Sequence, residues 1–277
     1  MAQSRNANRD GRRFIPGRAT SGRPRQTARK DDGPGIEMIH HACVQGDEQW
    51  VRLRLGRPTA SEFHRIITPK KWDLAAGRRS YQLELLTEAI LDCPLDGALT
   101  PAMLHGRDWE PKARAAYEMM QGVEVEPCGF CTTDDGQLGA SPDGFIGADG
   151  SAEFKCPISP QIHVNYLLHP EEFKDAHWAQ VQGQFFVSGR KWTDLVSYFM
   201  GIPMVCLRVE PHVEFQERLQ RHLHTFLAEL GDLRALAITR GVRFPAGPAQ
   251  EKRSADYGRD WITQADVDAI LAARGTV

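Results

Sequence analysis

The chain has 277 residues, of which 41% are hydrophobic and 25% charged, and its formal net charge is −2. That length suits one sizeable domain with tails, and the balance is that of a globular protein in water. The composition argues against a membrane span, a secretory signal and a polycation; any binding to nucleic acid would need basic residues gathered on one surface.

Residues 1–36 are rich in Arg, Gly, Ser and Pro and nearly devoid of large apolar side chains, so a disordered tail is expected. Nine basic residues there (Arg5, Arg9, Arg12, Arg13, Arg18, Arg23, Arg25, Arg29, Lys30) face three acids. They form either a solvated tail or a salt-sensitive tether to phosphate backbones. Residues 37–245 are expected to fold as one domain. Asp47 can cap a short helix that ends at Arg54. Thr59-Ala60-Ser61-Glu62 fits a capping box ahead of Phe63, Ile66 and Ile67. The apolar spacing of Leu83, Leu85, Leu86, Ile90 and Leu91 predicts a helix over 74–91. Thr100-Pro101 opens another, with proline at its first position, that reaches Met120 and stops at Gly122.

Strands are expected over 123–131, 137–146 and 151–156, with the Asp-Asp-Gly at 134–136 and the Ala-Asp-Gly at 148–150 as hairpin turns. Helical patterns return near 160–168 and 174–188. Two more strands fit 192–200 and 203–210, and a long helix fits 211–240. This order predicts an α/β (α+β) fold, a central mixed β-sheet flanked by helices. The tail 246–277 carries a short helical pattern at 263–273 that Thr263 can cap.

The six cysteines are scattered, and a chain of this kind is expected to keep them reduced. Cys128-Gly-Phe-Cys131 is a CxxC pair, but no second pair follows to complete four ligands for zinc or an iron–sulfur cluster. Two half-buried thiols on a strand are expected there.

The most informative segment is Ser141 to Pro157. Asp143 precedes a hairpin, and Glu153-Phe154-Lys155 follows on a strand. Side chains alternate along a strand, so Glu153 and Lys155 share one face and Phe154 takes the other. Two carboxylates beside a lysine can hold a hard divalent cation and activate water against a phosphodiester. The same triplet on an exposed strand would be ordinary solvated charge.

The segment resembles the core of the PD-(D/E)xK nuclease superfamily. Four blocks in order are similar to its phage lambda exonuclease and YqaJ-type viral recombinase family: Gly46–Ile67, His105–Glu118, Leu138–Pro157 and His177–Gly189. The resemblance implies a restriction-endonuclease-like core. It also implies Mg²⁺ or Mn²⁺ on Asp143, Glu153, the main-chain carbonyl of Phe154, and Glu110 through water. Lys155 would orient the attacking water or neutralise charge on the phosphate, and whether it is also the base stays open. A nearby dication would press its pKa down. Gln180 completes the implied catalytic set. Arg54, Ser61 and Ser141 would surround the scissile region and the 5′ phosphate, with Lys70 and Lys71 near the channel that admits DNA.

Each of these residues also has a plain structural reading. Glu110 and Gln180 would be exposed, Arg54 a surface charge, Ser61 a helix cap, Ser141 a turn residue, and Lys70 and Lys71 part of a solvated loop. Trp50, Trp109 and Trp178 read as core packing rather than base stacking. The function implied is 5′-to-3′ digestion of double-stranded DNA ends, giving single strands for recombination by annealing. Implied with it are a homo-oligomer (a trimer), a single-strand annealing partner, no membrane, and a cytoplasmic location in a bacterium or phage-infected host. The alternatives are a structure- or site-specific endonuclease and a non-catalytic scaffold on DNA ends.

Overall fold

The computed structural model describes residues 38–95 and 100–245. Both tails, including the 263–273 helix, lie outside the described residues. The described residues form eight strands and six α-helices in chain order: β1 (Met38–His41), α1 (Glu48–Arg54), a 3-10 helix (Ala60–Arg65), α2 (Arg78–Leu91), α3 (Pro101–Gln121), β2 (Glu126–Pro127), β3 (Phe130–Thr133), β4 (Gly139–Ala140), β5 (Gly144–Ile146), β6 (Gly150–Lys155), α4 (Pro160–Leu168), α5 (Pro170–Ser188), β7 (Trp192–Ser197), β8 (Val205–Val209) and α6 (Val213–Thr239).

The strands form two sheets. Five make a mixed sheet in the order β2-β5-β6-β7-β8, with β6 and β7 parallel and the other pairs antiparallel. A parallel pair needs a long crossover, which α4 and α5 provide. A separate antiparallel sheet, β1-β3-β4, was not expected. It arises because two predicted strands break. The 123–131 segment divides at Cys128-Gly129, sending β2 to one sheet and β3 to the other. Gly129 permits the split: a Cβ there would lie 2.3 Å from the Cys43 carbonyl oxygen, so only glycine lets the chain beyond β1 pass so close. The 137–146 segment breaks at Ser141–Asp143, where Pro142 has no N–H to give a ladder.

Other boundaries move for local reasons. α2 begins at Arg78, not residue 74, because Leu74 is bridged to Ile67 and Ala75 N–H donates to the Ile66 carbonyl. α5 begins four residues early, at Pro170, where proline suits the first helical position. The capping box at Thr59 does not form. A 3-10 helix stands there, and Thr59 Oγ1 meets Ser61 Oγ at 3.1 Å instead of a backbone N–H. The Asp47 cap on α1, the Thr100 cap on α3 and the left-handed Gly122 that ends α3 all agree with expectation.

Apolar periodicity places the helices. On α6, Phe215, Leu219, Leu223, Phe226, Leu230 and Leu233 form one buried stripe. All of these but Leu233 pack with Phe63, Ile66, Ile67, Tyr81 and Leu85 in the largest core cluster. The two faces of the mixed sheet differ. Phe154 and Val196 pack with Ala113 and Tyr117 of α3, whereas Leu195 packs with Phe173, Val181 and Phe185 of α5. Gly183 brings the 3-10 helix against α5, since a Cβ would sit 2.4 Å from the Phe63 ring. The C-terminal end of β6 therefore opens between α3 and α5. Among the described residues no helix is long and apolar enough to cross a membrane.

Candidate active site

The end of β6 lines a cavity of about 400 Å³, whose wall includes Glu110, Asp143, Glu153, Phe154, Lys155 and His177. Strand alternation works as expected. Phe154 turns into the core, edge-on to Tyr117 at 5.7 Å. Glu153 and Lys155 share the α5 face, and Lys155 Nζ lies 2.8 Å from Glu153 Oε1. A stripe on α5, His177, Gln180 and Gln184, faces them. Gln180 accepts from Lys155 Nζ at 2.9 Å and donates to Glu153 Oε1 at 2.6 Å. Gln184 donates to Glu153 Oε2 at 2.6 Å and is buried. Gln182, on the opposite side of α5, bonds to Glu210, His212 and Gln216.

Asp143 is delivered by a loop held at every residue. Trp50 Nε1 donates to Ser141 Oγ (2.9 Å), and Ser141 Oγ donates to the Gly129 carbonyl (2.6 Å). Gln45 Nε2 donates to the Pro142 carbonyl at 2.9 Å, and Arg114 donates to the Asp143 carbonyl at 2.9 Å. The Asp143 side chain accepts the Phe154 N–H at 2.6 Å through Oδ2. In an extended strand one residue's N–H and C=O point the same way, so the Phe154 carbonyl faces the Asp143 side. Glu110 comes from α3, whose Ala102, Gly106 and Glu110 line the cavity at four-residue steps. Arg114, one turn further, donates to Glu110 Oε1 at 2.7 Å and so ties α3 to the Asp143 loop.

Gln184 and Arg114 had no assigned part in the sequence reading. Gln184 was visible only as a residue on the same side of a helix as Gln180. Arg114 carried no signal beyond its four-residue step from Glu110.

The electrostatics are those of a site rich in buried negative charge. Burial, then the Glu153 and Glu110 charges, push the Asp143 carboxyl well above its ordinary range. Burial also raises Glu110, against the pull of Arg114. For Lys155, burial favours the neutral amine, but Glu153 and Asp143 outweigh it and hold the ammonium above its usual value. The downward shift expected beside a dication concerns the metal-bound site. Burial, with Lys155 adding, presses His177 down to about 3, so its imidazole is neutral.

The donor chemistry suits a hard divalent cation. Asp143 Oδ1 and Glu110 Oε2 carry no hydrogen bond among the described residues. Glu153 takes three donors, leaving about one of its four lone-pair positions. No group of three His, Cys, Asp or Glu side chains among the described residues is already closed into a metal cage. Mg²⁺ does not need one, since it binds through one or two carboxylates and keeps several waters.

A stability test follows from Asp143. An unfolded aspartate titrates near about 3.9, and the folded protein holds this proton to higher pH. Between those values the folded state binds more protons, so stability falls as pH rises. In EDTA, the melting temperature of the wild type should therefore decline more steeply from pH 5 to pH 8 than that of Asp143→Asn. Parallel curves would refute the assignment.

The remaining sequence-predicted residues lie elsewhere. Arg54 stacks on Trp50, 4.4 Å from the ring centroid, and has no salt bridge among the described residues. It lines a second cavity, of about 320 Å³, with Thr59, Arg65 and Tyr81. The two cavities meet the first turn of α3, at Met103 and Ala102 respectively. Ser61 lies beside Thr59, near this second cavity. Ser141 is one residue removed from Asp143's neighbour Pro142, but its hydroxyl is already engaged in holding the loop. Lys70 and Lys71 are exposed and line no part of the catalytic cavity. Lys70 borders a separate one with Trp72, Lys174 and Trp178. Cys128 and Cys131 are fully buried, not half-buried, with their sulfurs 3.5 Å apart.

Fold and site together define a protein of the PD-(D/E)xK nuclease class: a mixed sheet whose central strand ends in Glu-x-Lys, with an aspartate supplied from the loop that leads into the neighbouring strand. A profile described as the YqaJ-like viral recombinase domain matches residues 49–191, and the chain belongs to that family. A crystal structure of LHK-Exo in complex with dAMP is similar over 70% of this chain and 98% of its own, with 30% identity and a TM-score of 0.62. Another structure of this alkaline exonuclease, from Laribacter hongkongensis, is 31% identical over 70% of this chain and 99% of its own, with a TM-score of 0.55. A phage-related exonuclease from Haemophilus somnus 129PT shares the fold at 12% identity and a TM-score of 0.53, over 64% of this chain and 94% of its own. A search of curated proteins found no match.

Proposed function

We propose that the chain is a divalent-metal-dependent exonuclease that hydrolyses one strand from the ends of duplex DNA, 5′ to 3′, leaving single strands for annealing. The observation that carries this reading is the convergence of Asp143, Glu153, Glu110, Lys155 and Gln180 on one cavity. Asp143, Glu153 and the Phe154 carbonyl would hold Mg²⁺ or Mn²⁺, with Glu110 acting through water. The bound cation would supply Lewis-acid polarisation of the scissile phosphate and offset its charge.

The protein's own groups account for the rest. Gln180 and Glu153 hold the Lys155 ammonium, which orients the attacking water and stabilises negative charge growing on the phosphate. Arg114 fixes Glu110 and the Asp143 loop together. The neutral His177 ring and Lys155 line the same cavity as the carboxylates, and offer a neutral and a cationic group to an incoming phosphate. The 5′ polarity is supported by Arg54, whose guanidinium has no salt bridge among the described residues and suits a terminal phosphate, with Ser61 nearby. Through the family, the reading extends to a ring-shaped homotrimer and to a single-strand annealing protein as partner.

Digestion of 5′-phosphorylated linear duplex and of covalently closed circles, each with Mg²⁺ or EDTA, tests the proposal. Mg²⁺-dependent loss of the linear substrate and survival of the circle are expected, with nucleotides released first from the 5′-labelled end. Cutting of closed circles would point to an endonuclease. Intact linear DNA with every divalent metal would end the nuclease reading.

A further inference from the structure

Trp109 is a large aromatic side chain that the core does not use. It stands one residue before Glu110 on α3, half-buried and outside all three buried apolar clusters, contrary to the expectation of core packing. Trp178, by comparison, packs against two of those clusters. One residue on a helix is a turn of about 100°, so Trp109 points away from the catalytic cavity. It borders a separate groove of about 130 Å³ formed by His105, Trp109, Tyr198, Phe199 and Met200.

The groove has three relevant properties. Its lining is aromatic: the His105 and Trp109 rings lie 5.7 Å apart and are inclined by only 31°. No acid lines it, and Lys112 Nζ lies 3.9 Å from the Trp109 ring centroid. It also shares both supports with the catalytic cavity. On one side α3 carries Trp109 to the groove and Glu110 to the cavity. On the other, the Tyr198 N–H donates to the Lys155 carbonyl at 2.9 Å.

We propose that this groove is a stacking subsite for a nucleobase of the DNA engaged at the catalytic cavity. The inference rests on the nuclease reading above. Aromatic faces stack any base, which suits an enzyme that must accept every sequence, and an adjacent cation suits the phosphate that accompanies the base. Met200, 63% exposed at the rim, is a flexible thioether able to adapt to bases of different size.

The test uses the full chain carrying Lys155→Ala, so that the strand is not consumed. Anisotropy of a labelled single-stranded oligonucleotide, with Mg²⁺ present, is measured with and without Trp109→Ala and Trp109→Phe. Trp109→Ala should weaken binding about tenfold or more, and Trp109→Phe should retain most of it. Quenching of a 2-aminopurine base in the oligonucleotide should be lost with alanine and kept with phenylalanine. Equal affinity and quenching in the alanine variant, with an unchanged melting temperature, would overturn the proposal. So would a change of oligomeric mass without loss of strand binding, which would make the groove a contact between subunits. Failure of the wild type to hydrolyse linear duplex with any divalent metal would instead refute the nuclease reading beneath it.

Discussion

Exchanging Lys155 for alanine should slow hydrolysis of a 5′-phosphorylated linear duplex about a thousandfold and leave the protein folded. The side chain is anchored at both ends of its task. Its ammonium sits 2.8 Å from Glu153 Oε1 and 2.9 Å from Gln180 Oε1, on a residue that lines the cavity. Removing a preorganised charge from such a place costs about 10²–10³ in rate, and losing a positioned proton-handling group costs about 10²–10⁴. Folding should survive, because Glu153 keeps its bonds from Gln180 and Gln184. Lys155→Arg should rescue little, since a planar guanidinium cannot reproduce a compact ammonium held between two oxygens. Single-turnover rates with Mg²⁺, set beside melting curves, check this. A Lys155→Ala rate within tenfold of the wild type would remove Lys155 from the mechanism.

The second large effect is expected at Gln184. Glu153 is 3% exposed, and its Oε2 receives only the Gln184 amide among the described residues. Gln184→Leu leaves that oxygen buried without a donor. Hydrogen bonds to charged groups are worth about 1.5–3 kcal/mol. Part of the loss is recovered, because Gln184 Oε1 is itself a buried acceptor with no partner among the described residues, and leucine removes it. The net fall in stability should therefore be about 1–2 kcal/mol. Metal affinity should suffer more, because a carboxylate freed from its outer partner no longer holds its orientation, and such partners are typically worth 10–100-fold. Calorimetric titration of Mn²⁺ into the variant should show a drop in that range, and an unchanged Mn²⁺ affinity would show that Gln184 only packs.

The two effects illustrate different degrees of legibility in the chain. Lys155 was readable because strand alternation is local: once Glu153-Phe154-Lys155 is a strand, Glu153 and Lys155 must share a face. The helix ends at Asp47, Thr100 and Gly122 were readable for the same reason, since capping groups lie within a few residues of the N–H and C=O they satisfy. Gln184 was not, because its importance depends on a contact between residues 31 apart in sequence. The broken strands were missed in the same way. Nothing local in 123–131 reveals that Gly129 must let another segment pass, and Met38–His41 is too short to declare itself a strand without its partner β3. The capping box at Thr59 failed because burial against the rest of the chain turned its hydroxyl toward Ser61.

The sequence by itself determined the helices and strands with strong periodicity, the mixed α/β class, and the chemical identity of a carboxylate–lysine centre. These follow from repeats of 2.0 and 3.6 residues and from side-chain chemistry, which need no knowledge of distant segments. Tertiary structure alone decided that Glu110, from α3, meets Asp143 from the loop before β5 and Glu153 from β6 while Lys70 and Lys71 stay outside. It also decided that Ser141 spends its hydroxyl on the loop, and that Trp109 is left free of the core. Each of those outcomes is set by which elements the hydrophobic clusters bring together, and that packing is a property of the whole chain.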